Sequence, residues 1–159
     1  MSPISSPGLG HGRNVIQRGQ AAAVCLLALV LLGGCASPPE QPAPGEPLPP
    51  CGAAPNCVNS MSGEGGQAID PLVVTPAQWQ ALREWLGTQE DWQLIQDGDA
   101  FVQAVAITPL MRYRDDVQLL YLPQEGLLHV RSSSRLGYGD MGANRDRVEA
   151  LRSLVATLP

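Results

Sequence analysis

The chain has 159 residues, of which 44% are hydrophobic and 16% charged, with 15 Pro and 17 Gly. This length and this balance of hydrophobic and charged residues exclude a large multi-domain protein. They fit one small globular domain that also contains many loop-forming residues. The formal net charge is -5, and all ten basic residues are arginine. Because affinity for nucleic acid needs a basic surface, the composition argues against a nucleic-acid-binding protein.

Residues 1–34 have the pattern of a signal peptide. Two arginines precede an apolar run over residues 21–32, which is shorter than the roughly 20 residues of a transmembrane helix. The run leads into Leu32-Gly33-Gly34-Cys35, which resembles a bacterial lipobox. We therefore expect cleavage before Cys35 and lipidation of its thiol. The alternative is an ordinary signal peptide that is cut elsewhere beside a chance cysteine.

A lipidated Cys35 would carry three acyl chains, palmitate among them, and so anchor the protein to a membrane without crossing it. Ala36 follows it, whereas an Asp at that position is the usual inner-membrane retention signal of lipoproteins. This favours the periplasmic face of the outer membrane. The proline-rich residues 35–50 predict an extended tether, and residues 51–159 are left as one folded domain.

Cys51 and Cys57 remain as a pair in an oxidising compartment, which favours a disulfide bond. The five residues between them include Gly52 and Pro55, which help the chain to turn back on itself. A redox-active dithiol or a metal pair is the alternative, but both normally use a two-residue spacing.

The helices and strands of the folded domain are predicted as follows, in chain order. Thr75-Pro76-Ala77-Gln78 has the pattern of a capped helix start, and this helix is expected to end near Leu86. Extended runs bounded by Gly, Asp or Pro follow, and a second helix begins near residue 140 and ends near Thr157. The predicted strands are residues 91–96, 100–112, 115–122 and 127–135.

These elements predict an α+β fold: a small two-layer domain in which an antiparallel four-stranded meander is flanked by an N-terminal and a C-terminal helix. The second helix has an apolar stripe at helical spacing, with a polar residue, Asn144, at the same face. A buried amide must find hydrogen-bond partners, and the serines of the preceding strand are the nearest. The apolar stripe comprises Met141, Val148, Leu151, Val155 and Leu158.

The most distinctive segment lies between the last strand and the last helix. After residue 126 the chain has five arginines against three acidic residues, whereas residues 35–126 are strongly acidic. Arginines, hydroxyls and a Gly-rich turn into a helix are groups that bind anions. The alternative is that the arginines pair internally with Asp115 and Asp116. The candidate residues for binding an anion or a partner are Arg131, Ser132, Ser134, Arg135, Asn144, Arg145 and Arg147.

Signals for catalysis are weak, and we assign no catalytic residue. Asp115 and Asp116 with His129 could serve acid–base chemistry or a metal, but adjacent strand residues point to opposite faces. The serines 132–134 lack a nucleophile-elbow motif. We expect neither a metal site nor a cofactor.

Three motifs together resemble the family called domain of unknown function 1499. They are Pro55-Asn56-Cys57-Val58-Asn59-Ser60, then Asp115-Asp116-Val117, and then the arginine- and glycine-rich segment from Arg131 to Arg147. The resemblance spans about residues 50–158. It implies a secreted or membrane-attached bacterial or plastid protein and no particular activity.

The sequence thus favours a non-catalytic lipoprotein whose domain binds an envelope protein or a small anionic ligand. A hydrolase or redox enzyme of the cell envelope is the alternative. It would use Asp115, Asp116, His129 or the pair Cys51 and Cys57.

Overall fold

The structure is a computed structural model, and it describes residue 42 and residues 46–159. The predicted signal peptide, Cys35 and most of the predicted tether lie outside the described residues. Among the described residues, no helix is both long and apolar enough to cross a membrane.

The described chain forms one sheet and two α-helices. In chain order the elements are β1 (Cys57–Asn59), a short 3-10 turn (Gly65–Gln67), β2 (Leu72–Val73), α1 (Pro76–Thr88), β3 (Trp92–Asp97), β4 (Phe101–Ile107), β5 (Arg114–Leu122), β6 (Leu127–Ser134) and α2 (Ala143–Val155).

Helix α1 begins where the sequence predicts it, because its N-terminal capping box forms. The Thr75 hydroxyl accepts a hydrogen bond from the Gln78 backbone N–H at 3.1 Å, and the Gln78 side chain accepts one from Thr75 N–H at 3.0 Å. Pro76 takes the first helical position, where a missing N–H has no cost. The helix continues past Gly87 to Thr88, so the glycine does not end it.

All strand pairs within the sheet are antiparallel. Strands β3 to β6 follow one another as a meander, as predicted, and the spatial order is β1-β6-β5-β4-β3, with β2 also pairing with β6. The strand predicted over residues 100–112 is shorter than expected: β4 ends at Ile107, because Thr108 and Pro109 begin a loop that extends to residue 113. The sheet therefore has six strands, not four. The two extra strands have three and two residues, which is too short to produce a visible alternation of apolar and polar residues.

Both helices pack on the same face of the sheet. Trp79 and Leu82 of α1 and Leu151 of α2 belong to one buried cluster with alternate residues of β5, such as Val117 and Leu119. This arrangement confirms the α+β class and the two layers, with the core between the helices and one sheet face.

The start of α2 differs from the sequence prediction. Met141 was expected on the apolar stripe, but it is fully exposed and has a positive φ of 53°. Gly142 then takes the left-handed conformation as N-cap, and the helix begins at Ala143. The chain needs these two residues to turn from β6 onto the sheet face, so Met141 cannot join the core.

Candidate functional site

A hydrogen-bonded network joins the C-terminal half of β6 to the first turns of α2 on the helix-covered face. The Arg147 guanidinium donates to the Asp115 carboxylate at 2.5 Å, to the Ser132 hydroxyl at 3.0 Å and to the Asn144 side-chain oxygen at 2.8 Å. The Asp115 side chain is only 2% exposed. Its second oxygen, Oδ1, makes no hydrogen bond among the described residues.

Asn144 is the centre of this network and is completely buried. Its side-chain oxygen accepts from the Ser132 hydroxyl at 2.7 Å. Its side-chain nitrogen lies within 3.0 Å of the Asn56 carbonyl, the Ser134 hydroxyl and the Asp140 carboxylate. The residue predicted to need polar partners therefore has them, and they tie three separate parts of the chain together.

Asp140 holds the N-terminus of α2. Its carboxylate accepts hydrogen bonds from the backbone N–H groups of Gly142 at 3.0 Å and Asn144 at 2.9 Å. Burial acts to raise the pKa of Asp140, but the hydrogen bonds from Asn144 and Gly142 together outweigh it, so the pKa is below its ordinary value. The ionised carboxylate is thus the form that the fold stabilises.

Arg135 and Arg131 lie on the opposite face of the sheet. Arg135 makes a two-pronged contact with Asp116, at 2.9 and 2.7 Å. This hydrogen bonding raises the pKa of Arg135, while burial acts in the other direction. Arg131 donates to the Ser133 hydroxyl at 2.9 Å, and its burial lowers its pKa, partly countered by the charge of Asp116.

Arg145 occupies a third place. It donates to the carbonyl oxygens of Gly66 and Ala68, both at 2.9 Å, and so binds α2 to the segment after β1. This contact anchors an otherwise irregular stretch of chain, since a guanidinium can satisfy two carbonyl groups at once.

The seven candidate residues are thus divided among three locations. Four of them share the network on the helix-covered face: Ser132, Ser134, Asn144 and Arg147. The arginines at positions 131 and 135 lie across the sheet, and Arg145 lies at the segment after β1. The pairs that Arg147 and Arg135 form with Asp115 and Asp116 are those expected under the internal alternative. Anion binding by the whole set stays a prediction.

The groups invoked for an enzyme are also dispersed. Asp115 and Asp116 face opposite sides of the sheet and pair with different arginines. His129 lies 3.1 Å from the Ser60 hydroxyl through Nδ1, and burial lowers its pKa, against the smaller opposing effects of Glu125 and Ser60. No group of three His, Cys, Asp or Glu residues suited to a metal occurs within the described part of the chain.

The cysteine pair forms the predicted disulfide bond. Cys51 and Cys57 are joined, with their Cα atoms 5.8 Å apart. Cys57 belongs to β1 and is paired in register with Ser133 of β6. The bond therefore fixes the chain before β1 to the edge of the sheet.

A cavity of about 350 Å³ lies between the two helices and the sheet, at the end where β4 finishes and β3 begins. Two indole rings, those of Trp85 and Trp92, meet edge to face in its wall at 6.4 Å between ring centres. Apart from Asp91, Thr108 and Arg147, the lining is apolar. The other lining residues are Ala106, Ile107, Pro109, Ala150, Leu151 and Leu154.

Sequence reasoning missed this cavity, although one signal was available. Trp85 follows the exposed Glu84 and precedes the buried Leu86, so it lies at the border of the apolar face of α1. A large aromatic side chain at such a border is a reason to look for a groove. Its partner Trp92 is brought beside it only by the turn between α1 and β3.

The comparisons with known proteins identify the domain. No curated protein and no solved structure is significantly similar to this chain. The family described as "Protein of unknown function (DUF1499)" matches residues 47–155. That range includes the disulfide, the network between β6 and α2 and the cavity. The chain therefore belongs to the DUF1499 family.

Proposed function

We propose that this protein is a lipid-anchored, non-catalytic binding module of the cell envelope, and that it holds an apolar group of its ligand in the cavity beside Trp85 and Trp92. The observation that carries this proposal is the cavity itself. Its volume of about 350 Å³ lies within the range of small-molecule sites, and it has mostly apolar walls with a few polar groups, as such sites do.

Arg147 connects the cavity with the predicted anion-binding residues. It is the only cationic side chain among the described residues that line the cavity. Its side chain is 12% exposed, and its orientation is held by Asp115, Ser132 and Asn144. A guanidinium fixed in this way can hydrogen-bond an acceptor atom with little loss of side-chain entropy. Because Asp115 already balances the charge of Arg147 and Asp91 adds a carboxylate to the lining, the ligand class favoured by this site is an apolar ring or short acyl chain with a hydrogen-bond-accepting group.

The first experiment measures binding of 8-anilinonaphthalene-1-sulfonate, which combines apolar rings with a sulfonate, to residues 37–159. This range contains all the residues that the structure describes. Ala150 lies on α2 in the cavity lining, and Ala150→Phe should fill the space and abolish the fluorescence increase. Ser153→Phe is the matched control, because Ser153 is exposed on the same helix and is not part of the lining.

Circular dichroism of each variant would establish that the fold is kept. Equal dye binding by wild type and Ala150→Phe, or no binding by folded wild type, would contradict the cavity as a ligand site. Displacement of the dye by octanoate, but not by inorganic phosphate, would show that the apolar group supplies most of the affinity.

The anchor requires a separate test, since Cys35 lies outside the described residues. Cells expressing the full chain are fed an alkyne-bearing fatty acid, and label on the protein is compared between wild type and Cys35→Ser. We expect label and membrane association in wild type only. Label that persists in Cys35→Ser would place the lipid elsewhere and contradict the proposed anchor.

A further inference from the structure

Exposed apolar side chains are concentrated at one end of the sheet. Among the described residues nine large hydrophobic side chains are exposed, and six of these belong to two loops. One is the β4–β5 loop, residues 108–113, and the other is the β6–α2 loop, residues 135–142. Leu110 is 89% exposed and Met141 is fully exposed. The six residues are Leu110, Met111, Tyr113, Leu136, Tyr138 and Met141.

The two loops leave the sheet side by side. Ile107 at the end of β4 pairs with Arg114 at the start of β5, and Asp115 pairs with Ser134 at the end of β6. The Arg135 N–H also donates to the Arg114 carbonyl at 3.4 Å. We call residues 108–113 and 135–142 together the apolar end.

Backbone strain occurs in the same two loops. Within the described part of the chain, the only residues other than glycine with positive φ are Arg112, at 54°, and Met141, at 53°. Side chains with a Cβ disfavour this conformation, and it persists where the surrounding structure enforces it, often at functional sites.

Hydrogen bonds at the base of each loop enforce the strained conformation. Arg112 N–H donates to the Thr108 carbonyl at 3.0 Å, and Tyr113 N–H donates to the Thr108 hydroxyl at 2.9 Å. In the other loop the Asn56 side chain donates to the Gly137 carbonyl at 2.6 Å. The apolar side chains are therefore presented to solvent from fixed backbone positions.

Charge at the apolar end differs from that of the acidic domain as a whole. Arg112 and Arg114 are both exposed. Arg112 makes no side-chain hydrogen bond or ion pair among the described residues, and Arg114 reaches only the neutral Gln93, at 3.3 Å. The buried carboxylates nearby, Asp115 and Asp116, are already paired with other arginines. The acidic residue of the apolar end, Asp140, is engaged in hydrogen bonds to the backbone at the start of α2. Two cations available for binding thus lie beside the protruding Leu, Met and Tyr side chains.

We propose that the apolar end inserts into the surface of an anionic phospholipid bilayer. Moving leucine and methionine side chains from water into the acyl region is favourable in free energy. Tyrosine suits the boundary between acyl chains and headgroups because its ring is apolar and its hydroxyl polar. Arginine places its stem beside the apolar chains and its guanidinium among the phosphates. This contact goes beyond the proposed ligand cavity and does not require acylation of Cys35.

The test is vesicle flotation of residues 37–159, which lack the acylation site. Phosphatidylethanolamine vesicles containing phosphatidylglycerol are compared with neutral phosphatidylcholine vesicles. We expect wild type to float with the anionic vesicles and not with the neutral ones. The triple variant Leu110→Ser/Tyr138→Ser/Met141→Ser should bind roughly tenfold or more weakly, because three side chains no longer leave water.

A matched control removes three exposed apolar side chains from other parts of the surface. Met61→Ser/Val73→Ser/Ile95→Ser should float as wild type does. A second variant, Arg112→Gln/Arg114→Gln, should lose the preference for anionic over neutral vesicles. Since all these residues are exposed, the variants are expected to fold, which thermal unfolding checks.

Several results would overturn the proposal. The first is that folded wild type stays at the bottom of the gradient when anionic vesicles are present. An equal loss in the Met61, Val73 and Ile95 control is another. Concentration-dependent dimerisation that disappears in the triple variant, without vesicle binding, would instead make the apolar end a contact between copies of the chain. Thr108 and Pro109 belong to the apolar end and also line the cavity, but none of the flotation variants changes them. The loss of dye binding in Ala150→Phe and the loss of flotation in the triple variant are therefore separate results, and the two proposals can fail independently.

Discussion

The buried side-chain amide of Asn144 forms hydrogen bonds through both its oxygen and its nitrogen. The oxygen accepts from Ser132 and Arg147, and the nitrogen donates toward Asn56, Ser134 and Asp140. An amide with such varied partners specifies one arrangement of β6, α2 and the chain before β1. No apolar residue of similar size can replace it, because its partners would stay buried without hydrogen bonds.

Replacing Asn144 by Ala should therefore be severely destabilising. We expect the free energy of unfolding to fall by about 3 kcal/mol, because several buried donors and acceptors lose their partner at once. Urea denaturation of residues 37–159 measures this. Ser153→Ala on the exposed side of α2 is the control and should change stability by less than about 0.5 kcal/mol. An Asn144→Ala variant as stable as this control would show that the network contributes little.

At the level of elements, strand β1 depends on contacts that are distant in sequence. It has three residues, its partner strand among the described residues is β6, and it is linked through Cys57 to Cys51. One further backbone bridge joins Asn59 to Ala68. Its position also brings Asn56 to the Asn144 side chain. The disulfide thus holds a strand that is too short to remain in place by its ladder alone.

Removing this disulfide with Cys51→Ser/Cys57→Ser should lower the free energy of unfolding by about 2 kcal/mol, from the chain-entropy relation for so short a loop. Urea denaturation checks this value. Amide hydrogen exchange should also become faster at Val58 and Asn59, while the amides of β4 and β5 change only with global stability. Unchanged exchange in β1 together with unchanged stability would contradict a structural role for the bond.

For the molecule as a whole, the folded domain reaches further towards the N-terminus than the predicted boundary at Cys51. Leu48 is 1% exposed, and its N–H contacts the Met61 sulfur at 3.4 Å. The Pro49 carbonyl accepts a hydrogen bond from Asn59 at 2.8 Å. The last residues of the predicted tether therefore belong to the domain, and the family match likewise begins at residue 47.

The pH dependence of stability is also a property of the whole molecule, and two groups act in the same direction. Burial lowers the pKa of His129, so the fold favours its neutral ring. In the unfolded chain His129 has its ordinary pKa of about 6.5, so below that pH the unfolded state binds more protons than the folded state. The stability that the neutral ring contributes is therefore complete above about pH 6.5 and is lost as the pH falls. The hydrogen bonds that lower the pKa of Asp140 cause a further loss below about pH 4.

We therefore expect the Tm of residues 37–159 to fall as the pH is lowered from 7 to 5 and again below 4. His129→Gln should remove most of the first decrease, because it leaves no imidazole to protonate. Asp140→Asn should lower the Tm at pH 7 and flatten the decrease below pH 4. Calorimetry across this range measures both, and a wild-type Tm that rises between pH 7 and 5 would contradict the assignment of His129.

The sequence by itself determined the features that depend on neighbouring residues. The capping box of α1, the meander of β3 to β6, the apolar stripe of α2 and the Cys51–Cys57 bond all follow from short-range spacing. The DUF1499 family was also identifiable, because its motifs are read directly from the residues. Met141 was misplaced because helical periodicity does not reveal where a loop must turn.

Tertiary structure decided how the arginines are used and which surfaces remain free. Four arginines are close in sequence, but side chains alternate between the two faces of β6, and α2 crosses only one of these faces, so the arginines lie in three places. They are Arg131, Arg135, Arg145 and Arg147. The cavity beside Trp85 and Trp92 and the apolar end likewise arise from pairing between distant segments. Such features depend on which strands become neighbours, and that is settled only when the whole core packs.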